Sequence, residues 1–233
     1  MPGDRIVVET GEALAEQAAA WIAHALAEAV TARGRATIAL AGGTTPRPVY
    51  QRLAAEPGVP WDRVEVFFSD ERAVPLDHPD SNYRLASESL LSRVPVAPEK
   101  VHRMKADQPD LDAAARSYEA LLPPSLDLLL LGMGADGHTA SLFPHAPSLG
   151  EFTRRVVPVT GGEPLVQRLT VTPLVLDAAE RILVLVAGAA KAATVARVLE
   201  GAFDPEELPA QLARSGTWMM DRAAAGWLPP DEP

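Results

Sequence analysis

Residues 126–144 read Leu126-Asp-Leu-Leu-Leu-Leu-Gly132-Met-Gly-Ala-Asp136-Gly-His138-Thr-Ala-Ser141-Leu-Phe-Pro144. An apolar run with Asp127 as its one charge leads into a glycine-rich turn. A strand without polar alternation has both faces covered, the usual mark of a parallel sheet between helices. Arg181-Ile-Leu-Val-Leu-Val-Ala187 repeats the pattern and leads into a helix expected over 189–200. Working outward, Arg5–Val8, Ala36–Ala41 and Val64–Phe68 also read as strands. Thr10 is placed to cap a helix that runs to about Arg33, with Leu14, Ala18, Trp21, Ile22, Leu26 and Val30 on one face and Gly34 as its stop. Further helices are expected from Pro46, over 82–94 and over 111–122. This alternation predicts a single-domain, Rossmann-like α/β fold over residues 1–233, with a mainly parallel sheet and helices on both faces. Ligands of such sheets bind beyond the carboxyl ends of the strands.

Composition narrows the possible partners. Hydrophobic residues make up 47% and charged residues 22% of the 233, ordinary values that exclude a disordered chain. No apolar run nears the roughly 20 residues of a membrane span. The N-terminus shows no signal-peptide pattern, so a cytoplasmic location is the default. A net charge of −10 disfavours nucleic acid and anionic membranes. It also means that an anionic small molecule must be captured by local cations. The absence of cysteine removes disulfides and thiolate metal sites. His78, His102 and His145 lie in separate stretches without ligand spacing, so no metal is expected. The 22 prolines predict short, sharply bounded helices.

Four strand ends carry polar chemistry. Gly42-Gly43-Thr44-Thr45-Pro46 combines close backbone approach, two hydroxyls and a helix start, the makings of a phosphate cradle. Ser69-Asp70-Glu71-Arg72 places three successive charges at the mouth of a buried strand, which is costly unless they are paired. Gly132-Met-Gly-Ala-Asp136-Gly137 fits a dinucleotide fingerprint, yet no acidic residue follows over 153–160 to hold a ribose, and Asp136 would repel a pyrophosphate. The same stretch reads better as a base site. With His138 expected at a helix N-terminus, the dipole would keep its ring neutral, and Asp136 could orient it. Asp70 and Glu71 remain open as alternatives for that role. Finally, Lys191 in the first turn of a helix opposes the dipole, a cost that a bound phosphate would offset; Arg168 is a second candidate for the same task.

Taken together, AGGTTPRPVYQRLA, FFSDERAVPLDHPDSNYR, LLLLGMGADGHTASLFPHAPSL, QRLTVTPLVLDAAERILVLVAGAAKA and the closing Trp218-Met-Met-Asp-Arg resemble the 6-phosphogluconolactonase family of the glucosamine-6-phosphate deaminase/isomerase superfamily, in order and over nearly the whole chain. The resemblance implies one sugar-phosphate pocket, no cofactor, and hydrolysis of 6-phospho-D-glucono-1,5-lactone to 6-phospho-D-gluconate. It implies His138 as general base beside Asp136, Asp70 and Arg72 in the pocket, and phosphate binding by Gly43, Thr44, Lys191 and Arg168. Deaminases of the superfamily look like DGHIAFNEP in this loop, with a Glu before the Pro; here Phe143 stands before Pro144. A non-catalytic sugar-phosphate sensor is the rival from another class, and it would not need the Asp136/His138 pair. A monomer is expected.

Overall fold

The structure is a computed structural model that describes residues 3–162 and 165–229. Met1 and Pro2, which belong to the N-terminal stretch and the 1–233 span considered above, lie outside the described residues. In chain order the elements are β1 (Arg5–Val8), α1 (Gly11–Arg33), β2 (Ala36–Leu40), α2 (Pro46–Leu53), β3 (Val64–Phe68), β4 (Asp70–Arg72), α3 (Asn82–Ser89), α4 (Leu111–Glu119), β5 (Leu128–Gly132), β6 (Val156–Gly161), β7 (Val166–Val171), α5 (Pro173–Ala178), β8 (Ile182–Val186), α6 (Ala192–Glu200) and β9 (Thr217–Asp221).

Six strands form an all-parallel sheet in the order β1-β9-β8-β5-β2-β3. Its middle is fully apolar: every residue of β2 and β8 is buried, as are the four leucines of β5. The chain moves one way across the sheet from β1 to β3, then back from β5 through β8 to β9. Right-handed crossovers in the two directions put the helices of the outgoing connections and α6 on opposite faces; α1 packs on α2, and α3, which follows β4, packs on α2 as well. The expected Rossmann-like α/β architecture is what forms.

Local signals explain the elements. The Thr10 hydroxyl accepts the Ala13 N–H at 3.1 Å, and Gly34 ends α1 at φ +73° with its N–H on Val30 O. Leu14, Ala18, Ile22 and Leu26 of α1 are buried as expected, whereas Trp21 and Val30 are only partly covered. The 23 residues of α1 contain no proline, while the other helices run six to nine residues. Helix α3 is shorter than expected: Leu90 leaves helical geometry at φ −134°, and only a 3₁₀ turn follows over Leu91–Arg93. Helix α4 likewise ends at Glu119, and the start of the helix expected from Ala189 is a 3₁₀ turn over Ala189–Lys191. Among the described residues no helix is long and apolar enough to cross a membrane.

A second sheet, antiparallel in the order β4-β7-β6, was not expected from the sequence. The Ser69-Asp-Glu-Arg stretch read as a loop is the crossing point between the sheets. Ser69 still donates its N–H to Leu40 O of β2, its carbonyl already accepts from Val171 at the end of β7, and Asp70–Arg72 then pair with Arg168–Thr170. Just before that crossing, β3 is the edge of the large sheet. Phe68 there has an N–H and a carbonyl with no strand to meet. The buried Tyr118 hydroxyl takes both, accepting from Phe68 N at 2.7 Å and donating to Phe68 O at 3.0 Å. Burial pushes the Tyr118 phenol well above its ordinary pKa. Replacing Tyr118 by Phe would orphan two buried backbone groups, so the expected loss is about 1–3 kcal/mol in urea unfolding; an unchanged midpoint would show that the edge is satisfied otherwise.

Candidate active site

Strands β2 and β5 are neighbours, yet the chain leaves β2 toward β3 and leaves β5 toward β8. Their outgoing loops part there and leave a crevice, the topological switch point at which open α/β sheets bind ligands. A cleft of about 240 Å³ occupies it. Gly42, Gly43 and Thr44 line it from the end of β2, Asp70 and Arg72 from β4, His138 from the loop after β5, Arg168 from β7 and Lys191 from the turn after β8. The structure thus brings these eight candidates to one cavity. The ninth, Asp136, stands behind His138.

The end of β2 is shaped by what glycine permits. Gly43 has φ +99°, a conformation other residues rarely adopt. A Cβ on Gly42 would lie 1.8 Å from Asn82 Oδ1. The buried Tyr50 hydroxyl donates to Ala41 O at 2.7 Å and fixes the loop from below. Thr45, the residue before α2, makes no side-chain capping bond, so the loop amides remain available to a ligand. Pro46 and Pro48 carry no N–H, which leaves Arg47 as the one donor from the first three positions of α2.

His138 is held by Asp136. Its Nδ1 lies 2.6 Å from Asp136 Oδ1, which also accepts the His138 backbone N–H at 3.2 Å. With Nδ1 engaged as donor, Nε2 is left as the acceptor nitrogen of the neutral ring. Burial pushes the Asp136 carboxyl up, but its bond to His138 and the charge attraction outweigh this, so its pKa falls below the ordinary value. Asp136 is therefore the carboxylate that orients His138, the point the sequence left open. Phe143 packs against the ring at 4.8 Å between centroids. One expectation fails: no helix begins at His138. The chain after β5 makes turns through Ala140, at φ +48°, and a 3₁₀ turn comes only at Pro147–Gly150. No helix dipole acts on the ring; which nitrogen faces the cleft follows from the Asp136 bond instead.

The other carboxylates are committed elsewhere. Glu71 is buried and accepts from Ser81 Oγ and from the backbone N–H groups of Asn82 and Tyr83 at the start of α3, besides its neighbour Arg72 N. Burial raises its pKa, with those amides pulling the other way and Asp70 adding to the rise. Asp70 accepts from Asn82 Nδ2 on one oxygen at 2.9 Å and from Ser141 Oγ on the other at 2.6 Å.

The cations are less satisfied. Arg72 donates from Nη1 to Asp80 O at 2.6 Å, while its buried Nε has no acceptor among the described residues. Arg168 sits across from Arg72 in the strand register, lies over the Phe143 ring and approaches Asp70 Oδ2 at 3.9 Å. Burial lowers its pKa, with Asp70 opposing. Lys191 forms no ion pair or hydrogen bond with the described residues; burial lowers its pKa, and Asp136 partly restores it. Sequence reading had no signal for Asn82, Ser141 or Tyr50 as supports of the site, although all three lie inside the quoted motifs. It took Gly134 for part of a dinucleotide pattern. Its actual reason is steric, since a Cβ there would lie 2.1 Å from His138 Nδ1 and 2.4 Å from Asp136 Oδ1. Gly134→Ala is therefore expected to part the two side chains, read as loss of the hydrogen-bonded Nδ1 proton in imidazole NMR with the circular dichroism unchanged. Retention of that proton would show that the loop can yield.

Known proteins are similar to this chain in sequence and fold. The family model described as glucosamine-6-phosphate isomerases/6-phosphogluconolactonase matches residues 9–220. A 6-phosphogluconolactonase of Synechocystis sp. is 37% identical over 231 residues, covering 93% of this chain and 95% of that one. The crystal structure of 6-phosphogluconolactonase from Thermotoga maritima superposes with a TM-score of 0.84 at 30% identity, over 94% of this chain and 99% of that one. A monomeric glucosamine-6-phosphate deaminase superposes as well, with a TM-score of 0.85 at 26% identity over 96% and 99%. This chain belongs to the glucosamine-6-phosphate isomerase/6-phosphogluconolactonase family.

Proposed function

We propose that the chain hydrolyses 6-phospho-D-glucono-1,5-lactone to 6-phospho-D-gluconate, the lactone step of the oxidative pentose phosphate pathway, as a monomeric cytoplasmic enzyme without a cofactor. The observation that carries the reading is the Asp136–His138 pair facing Arg72, Arg168 and Lys191 across one cleft. The names of the relatives support the lactonase side of the family. So does Phe143, whose apolar ring fills the position where the deaminase pattern has a carboxylate. The monomeric glucosamine-6-phosphate deaminase that superposes on the chain supports a monomer.

In this reading the 6-phosphate rests on the amides and hydroxyls of Gly42-Gly43-Thr44 and on Lys191 and Arg168. His138 Nε2 takes a proton from water as the water oxygen bonds to C1 of the lactone. The carbonyl electrons move onto oxygen, and the positive charge of the Arg72 guanidinium stabilises that oxyanion. The intermediate collapses by expelling the ring oxygen, which receives the proton from His138 and becomes the C5 hydroxyl. Asp136, held ionised, stabilises the imidazolium between the two transfers. Asp70 takes no proton. A δ-lactone is already reactive, so acid–base assistance and positioning suffice.

Replacing His138 with Ala is expected to lower kcat for lactone hydrolysis by roughly 10²–10⁴-fold above the spontaneous rate, followed as 6-phosphogluconate through a coupled dehydrogenase. Full activity in that variant would remove His138 as base, and no activity in the wild type would remove the lactonase reading. Lys191 yields a second prediction. Its desolvated ammonium disfavours the empty fold, so Lys191→Met is expected to raise Tm in buffer while abolishing the stabilisation that added inorganic phosphate gives the wild type. Because the ammonium is the binding form and its pKa is lowered, phosphate affinity is expected to fall with rising pH sooner than an ordinary lysine would dictate. Equal phosphate stabilisation in both proteins would take Lys191 out of the site.

A further inference from the structure

Asp70 lines the cleft, carries a charge and would pass for a proton-transfer group, but its surroundings leave it no free oxygen. It is nearly wholly buried, and three elements converge on it. From the start of α3, Asn82 donates its Nδ2 to both Asp70 Oδ1 and Asp70 O, each at 2.9 Å. From the loop that carries His138, Ser141 donates Oγ–H to Asp70 Oδ2 at 2.6 Å, and Ser141 N–H is itself fixed by Thr170 Oγ1 at 3.1 Å. From β7, Arg168 reaches both Ser141 Oγ at 3.5 Å and Asp70 Oδ2 at 3.9 Å.

Asn82 extends the reach of this network. Both Nδ2 bonds go to Asp70, so its Oδ1 must face the other way, where it is buried without a donor among the described residues and abuts Gly42 at the distance that forbids a Cβ. An unmade hydrogen bond on a buried amide is a cost. The amide is held there because Asp70 holds it, and the result is that the backbone of the Gly42-Gly43 loop is seated against it. One carboxylate therefore touches, directly or through a single side chain, the loop after β2, the loop after β5 and the buried arginine of β7. These are the parts that in the proposed reading bind phosphate and carry the base.

We infer that Asp70 is a positioning residue that sets the distance between the phosphate loop and His138, acting through Asn82 and Ser141. This deepens the lactonase reading and rests on it for the kinetic half of its test, though not for the binding half. A positioning role makes Asn82 and Ser141, neither of which lines the cleft, as important as Asp70 itself. It also makes Asp70→Asn tolerable, because Asn retains an oxygen for Asn82, and its amide can donate to Ser141 once that hydroxyl turns round.

The experiment compares Asp70→Asn, Asn82→Ala and Ser141→Ala with the wild type, in two readouts: the dissociation constant of inorganic phosphate by titration calorimetry, and kcat, KM and the pH profile of lactone hydrolysis. The expected result for Asp70→Asn is less than a tenfold fall in kcat with an unshifted pH profile. Asn82→Ala should weaken phosphate and raise KM by tenfold or more, and Ser141→Ala should lower kcat by tenfold or more. A loss of 10³-fold or more in Asp70→Asn with one limb of the pH profile gone, while the other two variants behave as wild type, would overturn the proposal and make Asp70 a proton carrier. Should Asn82→Ala fail to fold, Asn82→Asp serves, since it places a second carboxylate against Asp70 and should weaken phosphate as much. Phosphate binding that depends on Asn82 in a protein with no lactone hydrolysis would uphold the positioning role and overturn the lactonase reading.

Discussion

The chain leaves two adjacent strands, β2 and β5, in opposite directions. Right-handed crossovers impose this once the order of strands reverses, and in the crevice between the diverging loops backbone from both halves of the fold approaches without filling the space. Lys191, which has no hydrogen-bond or ion-pair partner among the described residues, and Arg72, whose Nε has no acceptor among them, both face it. The loop after β2 supplies amides and the loop after β5 supplies an imidazole. The small antiparallel sheet, entered at Ser69, brings Arg72 and Arg168 to the crevice as cross-strand neighbours. Without the second sheet the crevice would have two walls and little positive charge.

Charge is distributed in the site against the trend of the whole molecule. A chain of net charge −10 repels a phosphate ester at long range, yet the cleft lining holds Arg72, Arg168 and Lys191 against the single carboxylate of Asp70. That carboxylate is used up by Asn82 and Ser141. The cations are left underpaired, and burial depresses the pKa of Arg168 and Lys191 for that reason. Arg168 keeps a long ion pair to Asp70 and a bond to Gly161 O, whereas the desolvated Lys191 has no ion pair among the described residues, a stability cost in the empty protein that a bound anion relieves. Attraction confined within a Debye length also means that the pocket, rather than the surface field, selects the ligand.

Five of the six strands of the parallel sheet and most of its helices were legible because each carries its own signal: Thr10 and Gly34 bracket α1, and the leucines of β5 have no polar alternation. β9, whose Trp218-Met-Met-Asp221 lies among polar turns, and the six-residue α5 were not read. Nor was the antiparallel sheet. Pro158 inside β6 argues against a strand, and it is tolerated because β6 is the edge of its sheet. β4 is only three residues long and fully charged, a composition that reads as a turn. The site residues themselves were visible as motif blocks, but their division of labour was not. Which of Asp136, Asp70 and Glu71 meets His138 depends on turns after β5 that no periodicity reports, and the helix expected there does not exist. Gly134 illustrates the same limit. Sequence marks the glycine, while the reason for it, two side chains within 2.4 Å of the missing Cβ, exists only in three dimensions.

The fold alone does not choose the reaction. A deaminase and a lactonase superpose on this chain equally well, so chemistry must be argued from side chains at the reacting centre. A proton relay for an amino sugar needs a second carboxylate poised beside the histidine. At that place Phe143 is buried, stacks obliquely on His138 and lies under the Arg168 guanidinium. An aromatic ring cannot relay a proton, but it can exclude water from one face of the imidazole and support a cation on the other side. In the proposed reading the pair that remains, His138 with Asp136, moves one proton off water and returns it to a leaving oxygen. That is the whole of what lactone hydrolysis requires, and it is less than deamination requires.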